Sequence, residues 1–422
     1  MSSEHIQGGT LNTVKLNAEY ASTLGAYWMI YAIAGSFASV FMLAKGYTNM
    51  HIGITLAAAN LLALALQPFI ADRMDRIRGI KIIDASATLT VLMMLAGAGY
   101  FIFTGGSLML AVSIVLVLAI HAVLQPLLNT LAFKLSECGI VVSFGIGRAG
   151  GSMGYAAIMA VLGTLVEKKG VITVPLCVEA ACVLLIALLF ITRSSFTGIS
   201  GSAGSAAGER PESAGAGAAE DDERIDIRSF IRRNKHFFIM NLGVAGLLFS
   251  NAVLSNYMPQ VAGNVGGTTE QVGRILSLMA LAEIPVMLFF DRIRKHFTSR
   301  TLIRISALGF AGKITVFRLA GSIGVLFAAQ AFQFIAFALL MPAMVYYINE
   351  IMSPGEAVKG QALFTMMLTL STIAASLAGG WILDAYGVRT LTGVSALITA
   401  AGAAVVFLTI DKVKSHRRLP QG

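Results

Sequence analysis

Three ionisable residues stand inside apolar runs that should repel them. Arg148 lies in FGIGRAGGSMGY (144–155), Glu283 in LMALAEIPVML (278–288) and Lys313 in SALGFAGKITVF (306–317). A charge at the centre of a membrane helix costs about 2.5–3.5 kcal/mol on insertion scales. It is kept where it faces a wet cavity or an opposite charge. A guanidinium offers paired donors in a fixed plane, which suits vicinal sugar hydroxyls or a carboxylate. A carboxylate shielded from water can carry a proton. These three residues are therefore expected to line a polar cavity. Arg148 and Glu283 would bind substrate, and Lys313 beside Glu283 would favour its ionised form until substrate or a proton releases the pair. The competing reading is a structural ion pair that only fixes helix register. Glu179 is a further acidic candidate, whereas Asp84 and Glu19 sit near span ends. His121, Asn129 and Gln333 lie in apolar runs too, where a polar side chain bonds a neighbouring helix; His121 has the chemistry of a proton relay, and Asn129 is kept as a substrate-binding candidate.

The elements that must position these residues follow from composition. The chain has 422 residues, of which 56% are hydrophobic and 13% charged, with mean hydropathy +0.77. A soluble domain has roughly 25% charged residues, so the bilayer must be the solvent for most of these side chains. A helical span needs about 20 mostly apolar residues. Such runs fall near 20–43, 50–70, 81–103, 108–132, 142–166 and 171–192, then near 237–260, 271–290, 301–319, 323–348, 360–384 and 389–410. The fold expected is an all-α membrane protein of twelve transmembrane helices in two pseudo-symmetric bundles of six, spanning 20–192 and 236–410. Residues 1–19 form an N-terminal segment and 411–422 a tail. Between the bundles, 193–235 contains SGSAGSAAGERPESAGAGAAEDDER, a composition that cannot bury a core and reads as a flexible linker. Its end, 225–235, mixes apolar and basic residues and reads as a short surface helix.

The net charge is +9. The charges lie in loops, and basic stripes with interleaved aromatics are missing, so the partners expected are the lipid bilayer and a small-molecule substrate, not nucleic acid. Lys and Arg concentrate on the side that carries both termini and the linker. The opposite loops hold Lys45, Lys168, Lys169, Arg274, Arg318 and Arg389. Both termini are therefore expected in the cytoplasm, in the plasma membrane of a bacterium, with a monomer sufficient. The polar start, 1–17, does not read as a secretory signal. Cys138, Cys177 and Cys182 have no metal or disulfide spacing. No cofactor is expected; no phosphate-binding loop matches, which leaves a proton gradient as the energy source. GGSMG (150–154) matches the nucleophile-elbow pattern, but that pattern needs a preceding strand, and no strand signal occurs. The chain is not read as an enzyme.

The halves echo each other. IADRMDRIRG (70–79) and FFDRIRKHF (289–297) place Asp72-Arg73 and Asp291-Arg292 after the second span of each set, as an internal duplication would. The order of six spans, linker and six spans resembles the major facilitator superfamily, and QPFIADRMDRIRG (67–79) is similar to that family's loop between spans two and three. Asp75 departs from it, where a Gly is common. The resemblance implies gating roles for Asp72, Arg73, Arg76 and Asp291. FGIGRAGGSMGY (144–155), ALAEIPVM (280–287) and GQALFTMMLTLSTIAASLAGGWILDAYG (360–387) are similar to the lactose permease branch of oligosaccharide:proton symporters. That resemblance implies a sugar-binding role for Arg148, an aromatic ring stacked on the sugar at Tyr155, sugar-hydroxyl binding by Glu283 and proton coupling near Lys313. Span ten departs from the pattern: Gln333 and Ala336 stand where the symporters carry a His and a Glu. The span-four acidic partner of the arginine has no clear match, with Ser136 and Glu137 nearest. The function expected is proton-coupled symport of a small polar organic solute, a sugar or oligosaccharide first; the alternatives are efflux of sugars or drugs, and a membrane sensor that does not transport.

Overall fold

The computed structural model describes residues 3–75, 81–137, 144–203 and 227–413. Arg76, Cys138 and the middle of the linker lie outside the described residues, as do the side chains of Asp72, Arg73, Ser136 and Glu137.

The described residues are helical, with no strand among them. The N-terminal half comprises α1 (Ser3–Tyr31), a π-helical turn (Ala32–Ser36), α2 (Ala38–Ala44), α3 (Asn49–Asp75), α4 (Lys81–Gly97), α5 (Gly99–Ile102), α6 (Leu108–Glu137), α7 (Phe144–Lys169) and α8 (Thr173–Ala203). The C-terminal half comprises α9 (Ile227–Arg233), α10 (Lys235–Asn256), α11 (Met258–Gly263), α12 (Thr269–His296), α13 (Ser299–Leu319), α14 (Ile323–Ala329), a 3₁₀ turn (Gln330–Phe334), α15 (Phe337–Ile351) and α16 (Pro354–Thr409), closed by a 3₁₀ turn (Ile410–Lys412).

Among the described residues nine helices are long and apolar enough to cross a membrane, or ten when the bent pair around Phe37 counts as one span. Two places account for the difference from the expected twelve. α16 runs through Gly387, whose φ of 76° is non-helical and divides the expected spans 360–384 and 389–410. α13 covers the expected span 301–319 but carries Arg300, Arg304, Lys313 and Arg318, too many charges for it to count as a span by composition alone. Two boundaries also differ. α1 starts at Ser3, well before residue 20, because its polar face continues the helix and carries the Lys15–Glu19 pair at 3.8 Å. α8 extends to Ala203, into the segment read as linker. α9 occupies the expected surface helix.

Small residues set the closest packing. A Cβ on Gly154 would strike the backbone carbonyl of Gly25, and one on Gly150 would lie 2.5 Å from that of Ala21, so α7 lies directly on α1.

The two halves meet most tightly at the end of the bundle away from the linker, here termed the far end. There Gly53 of α3 and Gly380 of α16 abut the backbones of Ser376 and Asn49, while Gly163 of α7 and Gly273 of α12 abut those of Thr269 and Met159. Asp384 accepts hydrogen bonds from the Asn49 backbone N–H (3.1 Å), the Asn49 side chain (2.8 Å) and the Met50 N–H (2.7 Å). A carboxylate of one half thus caps the positive end of a helix in the other. Gln260 donates to Asn49 at 2.8 Å. One apolar core fills the N-terminal half and crosses at this end to Tyr257, Leu276, Ile314 and Ile382. A separate core around Phe237, Met240, Tyr347, Phe364 and Ile410 fills the linker-side part of the C-terminal half.

Candidate substrate site

The glycines of α7 also shape the site. A Cβ at Gly151 would strike Cδ1 of Trp28, so the absence of a side chain there lets the indole of α1 pack against the α7 backbone. The Arg148 guanidinium stacks over it, 4.8 Å from the ring centroid. Arg148 Nη1 donates to Ser152 Oγ at 3.2 Å, one turn along α7. Its Nη2 lies 3.8 Å from Glu283 Oε2 on α12. Arg148 thus pairs with Glu283, a partner that the sequence did not assign to it, and the pair crosses between the halves.

Lys313 does not pair with Glu283 directly. Its Nζ donates to Gln333 Oε1 at 2.6 Å, and Gln333 Nε2 donates to Glu283 Oε1 at 3.1 Å. Gln333 belongs to the 3₁₀ turn between α14 and α15, which carries its side chain between α12 and α13. The carboxamide faces the ammonium with its acceptor and the carboxylate with its donor, so it links the two charges with each partner satisfied. Lys313 is 2% exposed, Gln333 0% and Glu283 8%, so these bonds replace water for all three. One carboxylate thus serves two cations, one from each half.

Tyr155, two turns beyond Arg148, is buried with its hydroxyl donating to Ser36 Oγ at 2.7 Å. Asn129 is half-buried on α6 and takes no part in these contacts. Asp291 accepts from Arg294 Nε and from the Tyr346 hydroxyl, each at 3.2 Å and all within the C-terminal half. Glu179 lies apart on α8, against Gly97 of α4, with Oε1 buried and lacking a hydrogen-bond partner. Ser152, the serine of GGSMG, sits inside α7 and bonds Arg148, far from any strand-to-helix elbow. Cys177 and Cys182 are free thiols.

His121 bonds across helices. Its Nε2 donates to the Tyr27 carbonyl at 3.0 Å, the Tyr27 hydroxyl donates to the His121 carbonyl at 3.1 Å, and the rings stack at 4.0 Å. His121 also lines a cavity between the halves with Tyr31, Asn60, Asn256 and Thr372. Tyr31 meets Trp28 edge-on at 5.7 Å, which joins the cavity to the charge pair by one continuous aromatic row.

Sequence reasoning missed Trp28, Asn60 and Asn256. An aromatic ring in an apolar run reads as core. The two amides, Asn60 in AAANLL and Asn256 in VLSNYM, were the signal available.

The comparisons with known proteins agree with this architecture. No curated protein matches the chain in sequence. A point mutant of the nucleoside transporter NupG superposes with a TM-score of 0.72 at 15% identity, over 94% of this chain and 100% of its own. NupG itself superposes with a TM-score of 0.68 at 15% identity, over 94% and 98%. A bacterial homologue of the human lysosomal transporter Spinster, solved inward-facing and unoccupied, gives 0.65 at 13% identity, over 97% and 99%. The model of the MFS_1 like family matches residues 20–394. The chain belongs to that family: it is a multi-pass membrane transporter of the major facilitator type, not an enzyme.

Proposed function

We propose that this transporter moves a small polyhydroxylated solute, a sugar or oligosaccharide first, by proton-coupled symport. The observation that carries the reading is the Arg148–Glu283 pair, a donor fork and an acceptor held 3.8 Å apart on opposite halves. A sugar presents both donors and acceptors on vicinal hydroxyls, so it can satisfy Arg148 and Glu283 together. The nucleosides named for NupG also contain a sugar ring, and belong in the same panel.

Coupling follows from the same pair. The linker face, rich in Lys and Arg, is cytoplasmic. The halves are sealed at the far end and have separate cores toward the linker, so the site opens inward. Protonation of Glu283 removes the attraction that joins Arg148 to the C-terminal half. Substrate replaces it with hydrogen bonds to both halves. A ligand shifts the inward–outward equilibrium only by binding one state better than the other, and bonds to both halves provide that difference. Lys313 and Gln333 hold the carboxylate in place in the unloaded state.

The test is uptake of a sugar and nucleoside panel by proteoliposomes, with and without an inward proton gradient. Gradient-stimulated uptake of one compound, lost in Arg148→Ala, is the expected result. Glu283→Gln should abolish gradient-driven accumulation while sparing exchange. Accumulation that survives this substitution would overturn the coupling scheme.

A further inference from the structure

The cavity beyond Trp28 has a chemistry of its own. Asn60 Nδ2 donates to the Leu56 carbonyl at 2.8 Å, which fixes the orientation of that amide. Ser376 donates its hydroxyl proton to the Thr372 carbonyl at 2.7 Å, so it can only accept from Asn256 Nδ2, 2.9 Å away. This fixes the second amide. Among the described residues, no protein donor reaches either Oδ1. Thr372 donates its own hydroxyl proton to the Leu368 carbonyl at 3.0 Å, which leaves lone pairs on Oγ1. His121 carries its proton on Nε2, facing a carbonyl, so Nδ1 of the neutral ring is an acceptor. These residues therefore bring four acceptors to the lining of the cavity, two from each half, together with the second N–H of each amide and the Tyr31 hydroxyl. Among the described residues, no Lys, Arg, Asp or Glu lines the cavity.

An acceptor-rich, uncharged, aromatic-sided cavity selects a neutral group with several donors and a flat face. A carboxylate or phosphate is disfavoured, because its charge would meet no cation in the lining. We propose that this cavity is a second subsite, which holds a neutral ring bearing O–H or N–H donors and joined to the sugar ring at Arg148 and Glu283. The inference rests on the sugar reading of that pair. The ring has two possible sources, a second sugar or a nucleobase. Because the acceptors come in pairs from opposite halves, a ring bound here also bridges the halves.

The experiment is a binding titration read by tryptophan fluorescence on the purified full-length protein. The chain has two tryptophans, so Trp381→Phe leaves Trp28 as the reporter, against the guanidinium that the sugar would contact. The probes are methyl β-glucoside, cellobiose and uridine. One two-ring probe should bind more tightly than the methyl glycoside. Tighter cellobiose identifies a second sugar, and tighter uridine a nucleobase. Asn60→Leu and the nearly isosteric Thr372→Val should each cut that advantage about three- to tenfold, the worth of one hydrogen bond. Thr372→Val guards against misfolding of the Asn60 variant. Equal affinity for one-ring and two-ring probes would overturn the subsite and leave the Arg148–Glu283 reading standing. So would an advantage unchanged in Thr372→Val. Failure of all three probes to bind would overturn both.

Discussion

Arg148 and Glu283 belong to different halves of the chain, yet their charged ends stand 3.8 Å apart between them. A contact that must break when the halves rock apart ties ligand binding to conformation. Arg148→Ala and Glu283→Gln should each weaken binding of the proposed sugar substrate by about tenfold or more, as loss of a charged hydrogen-bond partner does. The double variant should lose little beyond the worse single one, with a coupling of roughly 0.5–3 kcal/mol for groups in contact. Dissociation constants from the four proteins of this cycle decide it: strictly additive losses would mean that the two side chains act separately.

The Lys313–Gln333–Glu283 bridge makes a different prediction, on stability. Gln333→Leu strands an ammonium that is 2% exposed and removes a donor from Glu283. Breaking one member of a buried charged network costs roughly 3–5 kcal/mol, whereas replacing charged members together with apolar ones is often neutral. Gln333→Leu should therefore lower the thermal midpoint in detergent markedly. Adding Lys313→Met should restore most of it. A double variant as unstable as Gln333→Leu alone would show that the ammonium is not what the carboxamide satisfies.

Much of this was legible in the sequence, for physical reasons that also mark where reading stops. A charge in an apolar run must find a partner, so Arg148, Glu283 and Lys313 announced a shared site. The partner of each was not legible. The bridge depends on the 3₁₀ turn at Gln330–Phe334, and Gln333 read only as a helix-to-helix bond. Apolar runs placed the helices but not their ends: α1 and α8 extend on polar sequence that includes Gly8, Gly9, Gly198 and Gly201, because on a helix already nucleated each added residue gains a hydrogen bond, so weak formers need not end it. The far-end seal was the least legible feature. Gly53, Gly163, Gly273 and Gly380 are ordinary glycines in a glycine-rich chain until four backbones are seen to meet.

Small residues let α7 lie close on α1, and the neighbour of Gly154 is the carbonyl of Gly25. Backbone does not yield as a flexible side chain would. Gly154→Leu should separate α7 from α1 and displace Arg148 from Trp28. Fluorescence-detected size exclusion of the solubilised variant should show loss of the monodisperse peak. A well-behaved variant with unchanged sugar binding would mean that the two helices tolerate a wider spacing.

Asp384 carries the last prediction. It caps α3 from the other half with three hydrogen bonds at the far end, which outward opening separates in the proposed orientation. A carboxylate on a helix N-terminus contributes roughly 0.3–1 kcal/mol through the dipole where exposed, besides the cap bonds. Asp384→Ala removes both from the sealed state alone, because in the outward-open state water solvates the carboxylate and the helix end separately. The substitution should therefore populate the outward-open state. Spin labels at Lys45 and Tyr386, on opposite halves at the far end, report the change in a background freed of Cys138, Cys177 and Cys182. Their distance distribution should gain a longer component in Asp384→Ala, and Asp384→Asn, which keeps one acceptor oxygen, should fall between. An unchanged distribution in both would place the far-end seal in the glycine contacts, and Gly163→Leu would then open what Asp384→Ala does not.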